Sequence, residues 1–143
     1  MITFQKIRWK NFLSTGDQWT EINLNKSSTT LVIGTNGAGK STMLDALCFA
    51  LFNKPYRKIN KPQLVNSSNE KGCLVEVEFS VGPRNYLIRR GIKPNVFDII
   101  VDGEMKNKEA DDRANQKIVE EQILKLNYKS FTQIVILGSS NFV

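Results

Sequence analysis

The chain has 143 residues, 41% of them hydrophobic and 24% charged, which supplies enough apolar content for a globular core and excludes wholesale disorder. Its net charge of +6 favours acidic partners such as nucleic acid, although a basic surface that contacts only solvent would give the same value. Histidine is absent, which excludes Ser-His-Asp and Cys-His catalysis and every metal site with a histidine ligand.

Neither a membrane segment nor a secretion signal is predicted. No stretch approaches the roughly 18 apolar residues of a membrane span, and the first residues lack the apolar core of a signal peptide. Cys48 and Cys73 lie far apart without metal-type spacing, and Cys48 falls on an apolar helix where core packing is its expected role. A reducing, cytoplasmic location is therefore expected.

Three strands and a helix are predicted in the first half of the chain. Ile2–Phe12 is predicted as a strand with one basic and one apolar face, because charged and apolar side chains alternate. Trp19–Leu24 alternates again, whereas Thr29–Ile33 is continuously apolar, as expected of a buried central strand. Lys40–Phe52 is apolar almost all round, which predicts a buried helix.

An antiparallel meander and a second helix are predicted in the remaining chain. Alternating strands are separated by the turn Gly82-Pro83 and closed by Asp102-Gly103, a hairpin signal. Together with the elements of the first half, these patterns predict an α/β fold. The predicted elements are the polar loop Asn53–Asn69, a meander over about 72–103 with strands Leu74–Val81, Tyr86–Ile88 and Asn95–Asp102, a helix over about 111–126, and a last strand Thr132–Leu137.

The segment Gly34–Ser41 fits the phosphate-loop pattern G-x-x-x-x-G-K-[ST], with an apolar strand before it and a long helix after it. Glycines in such a loop let the backbone approach the ligand closely, and its N–H groups form a nest around phosphate. The helix N-terminus adds about half a positive charge. The sequence therefore predicts a site for a nucleoside triphosphate, with Mg²⁺.

Three polar side chains at the end of this loop have predicted roles. Lys40, as the catalytic residue, is expected to reach the β- and γ-phosphates, Ser41 to ligate Mg²⁺ and Thr42 to donate to the α-phosphate. The nucleotide-binding residues predicted here are Asn36, Gly37, Ala38, Gly39, Lys40, Ser41 and Thr42.

Carboxylates that could act in catalysis are scarce. Ile99–Asp102 looks like the apolar strand whose final Asp holds Mg²⁺ in such ATPases, but Gly103 follows, which favours a hairpin turn. No other apolar run ends in paired acids, so the carboxylate that positions water is expected outside this chain. Glu76 and Glu78 share one strand face and are expected to be solvated.

Basic and aromatic side chains leave two interpretations open. The basic clusters fit DNA or partner contact as well as they fit a solvated surface, whereas Trp9 and Trp19 are expected in the core rather than as stacking platforms for bases. The clusters are Arg57, Lys58 and Lys61, and Arg89, Arg90 and Lys93.

Motifs along the whole chain resemble one ATPase family. Ile7–Phe12, the phosphate loop and Ser41–Leu47 resemble the N-terminal lobe of ABC ATPases of the structural-maintenance-of-chromosomes (SMC) type, in the Rad-fifty and SbcC branch. More discriminating segments resemble the ATPase subunits of recombination endonucleases of T-even-type bacteriophages. These are Lys54–Arg57, Gln63–Ser67, Arg90–Phe97 and Gln133–Gly138.

This resemblance implies the architecture and the partners. Residues 1–143 would be the N-terminal lobe of an ABC-ATPase head, with a mixed central sheet, an antiparallel meander and a buried phosphate-loop helix. A coiled coil and a C-terminal lobe with a signature motif and a paired Asp-Glu would lie outside this chain. Two heads would sandwich two ATP molecules, a metallophosphoesterase-type nuclease subunit would dock on them, and a phage-encoded protein would work in the host cell cytoplasm.

The resemblance also implies further site residues. Val65, Asn66 and Ser67 would lie near the adenine, and Ser14, with Thr15, would approach the nucleotide after the first strand. A family glutamine that contacts Mg²⁺ after the last strand aligns with Ser139, whereas Gln133 lies at the strand's beginning. Either Ser139 and its neighbours replace that glutamine through water, or the loop shifts.

The function expected from this resemblance is an ATP-binding lobe of a DNA repair or recombination exo-endonuclease complex. ATP-driven head dimerisation would control DNA binding and nuclease access, and the chain alone would hydrolyse little ATP. One alternative is an SMC- or RecN-like DNA-clamping ATPase without a nuclease. Another is a small-molecule P-loop kinase, which the antiparallel meander and the missing lid arginines disfavour.

Overall fold

A computed structural model describes residues 2–13, 16–23, 38–66, 68–105 and 112–131, with the backbone alone for residues 38–41. The predicted strands Thr29–Ile33 and Thr132–Leu137 lie outside the described residues, as do the first four positions of the phosphate loop. No described helix has both the length and the hydropathy of a membrane span.

Six antiparallel strands form the described sheet, because alternating side chains give each strand one apolar face. Their order is β2-β1-β3-β4-β5-β6, so β3 to β6 form the predicted meander and β1 pairs with both β2 and β3. The strands are β1 (Ile2–Lys10), β2 (Thr20–Asn23), β3 (Cys73–Val81), β4 (Arg84–Ile92), β5 (Val96–Val101) and β6 (Glu104–Met105).

The predicted hairpin after β5 is confirmed. Asp102 and Gly103 have φ angles of 49° and 86°, the left-handed geometry that a two-residue turn of this kind requires and that glycine tolerates best. The Asp102 carboxylate accepts a hydrogen bond from the backbone N–H of Asn85 at 2.9 Å. Asp102 is therefore a turn residue of the meander.

The phosphate-loop helix packs against the inner face of the sheet. Helix α1 (Ala38–Phe52) is apolar around its circumference, and its side chains from Met43 to Phe52 are buried, as predicted. Phe49 packs against Phe12 with ring centroids 6.2 Å apart. The core beneath the sheet is completed by buried apolar residues of the strands, chiefly Ile7, Trp9, Val75, Val77, Phe79, Ile88 and Ile99.

The second helix differs in form from the predicted one. Helix α2 spans Asp112–Lys117 and continues as a π-helix over Ile118–Leu124. Lys125 then takes a left-handed conformation, and the Leu126 N–H donates to the Glu120 carbonyl at 3.0 Å. Val119, Ile123 and Leu124 are the buried residues of this π-helical segment.

Two side chains of the outer sheet face differ from expectation. Glu76 is buried rather than solvated, because Arg8 and Arg89 from the neighbouring strands bind its carboxylate at 2.6 and 2.7 Å. Trp19 is 37% exposed rather than part of the core. Its ring lies over the cationic groups of Arg8 and Lys10, at 4.1 and 5.0 Å from the centroid, which stabilises it on the surface.

Candidate nucleotide-binding site

The N-terminus of α1 holds the second half of the phosphate-loop motif. The helix begins at Ala38, so Lys40 and Ser41 lie in its first turn, where backbone N–H groups have no partner within the helix. That turn contains no acidic residue, so no side chain of the helix neutralises the positive end of its dipole. An anionic ligand such as a triphosphate therefore fits this end of α1.

An ion pair between a buried carboxylate and a partly exposed arginine fixes the middle of α1. Asp45 is completely buried, and its carboxylate accepts hydrogen bonds from the backbone N–H of Arg57 at 2.7 Å and from its Nε at 2.6 Å. A carboxylate in the core costs several kcal/mol unless it is paired and hydrogen-bonded. The pair therefore holds the segment after α1 against the helix that carries the phosphate loop.

Asn66 connects two segments that the resemblance places near the base. Its side-chain amide donates to the Leu13 carbonyl at 3.1 Å, and its Oδ1 accepts from the N–H groups of Ser68 and Asn69 at 3.0 and 3.1 Å. Its own N–H donates to the Asn11 carbonyl at 2.9 Å. The structure thus brings the chain just before Ser14 against the chain around Ser67.

Asn11 forms a second layer of the same network. Its Oδ1 accepts from the Asn69 side chain at 2.6 Å, and its Nδ2 donates to Asp17 at 2.8 Å and to the Gly72 carbonyl at 3.3 Å. Asn11 has a φ of 50°, which asparagine tolerates better than most residues. Sequence reasoning missed Asn11 and Asn69. The available signal was three asparagines, Asn11, Asn66 and Asn69, which lie within or close to the two segments that the resemblance places near the nucleotide. Asparagine side chains often bond to backbone groups in tight loops.

A cavity opens beside this asparagine network. It has a volume of about 290 Å³ and is lined by Asn11, Asp17, Asn69, Lys71, Gly72, Lys93 and Pro94. Both exposed lysines, Lys71 and Lys93, belong to turns rather than to strands.

The remaining predicted site residues fall into two groups. Val65 is buried and pairs with Phe12 in an isolated antiparallel bridge, so its side chain packs in the core. Thr42 is half-buried in the second turn of α1. Those outside the described residues are Ser14, Thr15, Asn36, Gly37, Ser67 and Ser139, and the side chains of Ala38, Gly39, Lys40 and Ser41 are not described.

The predicted basic clusters do not form one continuous patch. Arg89 is held by Glu76, and Arg90 is buried beneath the sheet, so neither is freely available at the surface. Burial lowers the pKa of the half-buried Lys61, as does the charge of Arg90, with Asp112 partly opposing both. Lys58 and Lys93 are the exposed members of the clusters without a described ion pair.

Comparison with known proteins identifies the family to which this arrangement of sheet, helix and loop belongs. A family model described as "AAA domain" matches residues 6–142. The chain belongs to this family. Exonuclease subunit 2 of Enterobacteria phage T4 is 44% identical over 137 residues, which cover 96% of this chain and 24% of the phage protein. The same subunit of Escherichia phage RB69 is 43% identical over 137 residues, again 96% of this chain and 24% of the relative.

Cellular AAA-domain relatives support the same branch. The DNA double-strand break repair Rad50 ATPase of Sulfolobus acidocaldarius is 33% identical over 96 residues, 67% of this chain and 10% of that protein. The resemblance to the Rad50 and SbcC branch is therefore confirmed. The chain spans about a quarter of the length of the phage relatives that it matches, which are 24% covered.

Solved structures show that the fold is that of SMC-type ATPase heads. One, from work on ATP-driven dimerization and DNA-stimulated activation of SMC ATPases, matches with a TM-score of 0.58 and 20% identity, covering 83% of this chain and 78% of the other. The Smc head domain of Pyrococcus furiosus with an extended coiled coil matches with a TM-score of 0.58 and 20% identity, covering 90% of this chain and 35% of the other. The expected fold class, an ABC-ATPase lobe with a buried phosphate-loop helix, is confirmed.

Proposed function

We propose that this chain is the ATP-binding N-terminal lobe of an ATPase head that belongs to a DNA repair or recombination nuclease complex. The observation that carries the proposal is the phosphate-loop sequence at the N-terminus of a buried helix whose first turn contains no acid. The 44% identity with a phage exonuclease subunit across 96% of the chain supports the nuclease context.

The residues at the start of α1 fit MgATP. Backbone N–H groups from Asn36 to Gly39 would surround the β-phosphate, and Lys40 would bind the β- and γ-oxygens. The Ser41 hydroxyl would ligate Mg²⁺, which neutralises charge on the phosphates when it is bound. Thr42 would donate to the α-phosphate, and Ser139 is the proposed replacement for the family glutamine near the metal.

The asparagine network would position the base-binding segments. To the described residues alone the Asn66 side chain makes three hydrogen bonds, and these contacts serve to hold the loops together. Contact with adenine would then come from the backbone of Val65 and Asn66 and from Ser67, with Ser14 facing them from the segment after β1. This division assigns Asn66 a supporting role beside the nucleotide.

Hydrolysis would require groups from outside this chain. A C-terminal lobe would supply the paired Asp-Glu, and a second head would close over the nucleotide to form a homodimer with two ATP molecules. ATP binding would hold the heads together, and hydrolysis would release them and change the access of DNA to a metallophosphoesterase-type nuclease subunit. By itself the 1–143 lobe would bind ATP weakly and hydrolyse little of it.

Lys58 and Lys93 would contribute the sequence-independent contacts with DNA. Neutralising one phosphate of duplex DNA releases about 0.9 counterions, so each such contact changes the log–log salt slope by close to one unit. We expect Lys58→Ala with Lys93→Ala to lower that slope in the intact protein, with the exposed Lys117→Ala as a control. An unchanged slope would show that these two lysines do not contact DNA phosphates.

An SMC-like clamp without a nuclease is the second candidate, and the structural likeness to Smc heads favours it. Affinity purification of the intact protein distinguishes the two. A stoichiometric metallophosphoesterase subunit, with ATPase activity lost in Lys40→Ala, supports the nuclease complex. An intact ATPase that retains its activity in Lys40→Ala contradicts both candidates, whereas an ATPase that purifies without a nuclease supports the clamp.

A further inference from the structure

The C-terminal end of α1 is held by side chains from two other elements. The last carbonyl groups of a helix have no partner within it, and the last turn of α1 contains no basic residue. Arg90 of β4 donates from Nε to the Ala50 carbonyl at 3.1 Å, and Gln116 of α2 donates from Nε2 to the Leu51 carbonyl at 2.8 Å. Asn53 continues the helix pattern with an N–H bond to the Phe49 carbonyl at 2.8 Å.

Arg90 and Gln116 form one buried unit. The guanidinium group of Arg90 is stacked over the Phe97 ring at 3.6 Å from the centroid, and its Nη2 donates to Gln116 Oε1 at 2.5 Å. Gln116 also donates to Glu120 at 3.0 Å, at the start of the π-helix. Two contacts of this unit reach the end of α1, one from the meander and one from α2, and the others hold Arg90 and Gln116 in place.

The charge of Arg90 is retained despite its burial. Only 3% of this residue is exposed, and burial lowers its pKa to about 9, while the carboxylates of Asp112 and Glu120 oppose that shift. A pKa of about 9 leaves the guanidinium protonated at neutral pH. Its positive charge thus lies at the negative end of the α1 dipole, where a cation stabilises the helix.

We propose that Arg90 and Gln116 are positioning residues that set the axial position of α1 and, through it, the geometry of the phosphate-binding turn. The inference rests on the proposed function, because it requires the nucleotide at the other end of this helix. The 15 residues of α1 span about 22 Å, and a packed helix moves along its axis as a unit. Fixing one end therefore fixes the N–H groups at the other.

A purely local cap would have different consequences from a positioning pair. Loss of a local cap would free only the last turn of α1 and would lower stability without changing the affinity of the folded protein for nucleotide. Loss of a positioning pair would also loosen the backbone at residues 38–42. Hydrogen exchange of the two ends, read together with MgATP affinity, separates these outcomes.

The test uses the intact protein with Arg90→Met, Arg90→Lys and Gln116→Leu, and with Arg84→Met as the matched control. Arg84 also belongs to β4, but its side chain is 61% exposed and forms a long surface ion pair with Asp102, at 3.7 Å. Arg90→Met should weaken MgATP binding by about five- to tenfold, within the range typical of coupling between distant sites. Exchange should become faster at residues 38–42 as well as at 49–53. Arg90→Lys should recover part of the affinity because it keeps the charge, and Gln116→Leu should show a smaller loss.

Each result has a defined meaning. Faster exchange confined to residues 49–53, with MgATP affinity equal to that of Arg84→Met, would overturn the inference and leave the proposed function intact. Unchanged affinity in a Lys40→Ala control would instead overturn the proposed function. If Arg90→Met does not fold, Arg90→Lys and the half-buried Gln116→Leu decide the question by the same two readouts.

Discussion

The carboxylate of Asp45, completely buried in α1, binds both the backbone N–H and the Nε of Arg57, at 2.7 and 2.6 Å. Arg57 is itself partly exposed, so the pair joins the core of the helix to the surface of the following segment. This explains why a residue from a predicted basic cluster serves the fold: its guanidinium compensates a charge that the core could not otherwise contain.

Breaking this pair should destabilise the lobe strongly. We expect Arg57→Met to lower the free energy of unfolding by about 3 kcal/mol, because it leaves a buried carboxylate with a single described partner. Adding Asp45→Asn should restore part of the loss by removing the buried charge. Urea denaturation measures both, with the exposed neighbour Lys58→Met as a control. A double variant less stable than the sum of the single changes would contradict this explanation.

Asn66 should matter for both stability and nucleotide affinity. Asn66→Ala removes three side-chain hydrogen bonds to described residues and leaves the Leu13 carbonyl without that donor, so we expect a loss of about 2–3 kcal/mol in the free energy of unfolding. MgATP affinity of the folded protein should fall as the two loops separate. The exposed Asn85→Ala should change neither quantity. Loss of stability with unchanged affinity would separate the network from the nucleotide site.

Glu76 and Glu78 offer a matched comparison on one strand face. Glu76→Gln should lower the free energy of unfolding by about 2–3 kcal/mol, because Arg8 and Arg89 lose a buried charged partner. Glu78→Gln should cost less than about 0.5 kcal/mol, since Glu78 is only half-buried and its ion pair with Lys6 is long, at 3.8 Å. If the two variants lower the melting temperature equally, burial of the Glu76 carboxylate does not make it more important for stability than Glu78.

The two buried thiols predict an alkaline loss of stability. Burial raises the pKa of Cys48 and of Cys73 from 9.0 to about 12, and Asp45 adds to the shift at Cys48. The unfolded thiols lose their protons first, so this contribution is fully present below pH 9 and is lost as pH rises towards 12. The slope should reach about 1.4 kcal/mol per pH unit for each thiol.

A double variant isolates this contribution from other groups that titrate in the same range. Cys48→Ala with Cys73→Ala should be less stable at neutral pH but should show a shallower fall between pH 9 and 12. Denaturant unfolding across that range measures the difference. The same slope in both proteins would mean that the thiols are not the groups responsible.

Local patterns in the sequence predicted much of the fold. Local patterns predicted β1, β2, β3 and β5 but only the centre of β4, at Tyr86–Ile88. Asp102-Gly103 predicted the last hairpin, and the apolar circumference of α1 predicted its burial. These features depend on neighbours in the chain. Pairings between distant residues were not predictable in this way: Glu76 looked solvated because its partners are 68 and 13 residues away.

The candidate site shows the same division. The motif Gly34–Ser41 is contiguous, so the sequence alone identifies it. Arg90 was grouped with surface cations because a single sequence does not show that β4 faces the end of α1. There Arg90 donates a hydrogen bond to the Ala50 carbonyl, and its guanidinium stacks on the Phe97 ring. The asparagine network likewise required the register that places Asn11 beside Asn66.

MgATP binding by the Lys40→Ala variant is the decisive measurement for the proposed nucleotide site. Isothermal titration of the intact protein, with the exposed Lys117→Ala as a control for the loss of a lysine, measures the affinity of the phosphate site itself. MgATP binding should be at least about tenfold weaker in Lys40→Ala, because a direct charged contact with the phosphates is lost, and unchanged in Lys117→Ala. Equal MgATP affinity in the wild type and in Lys40→Ala would contradict the proposed site.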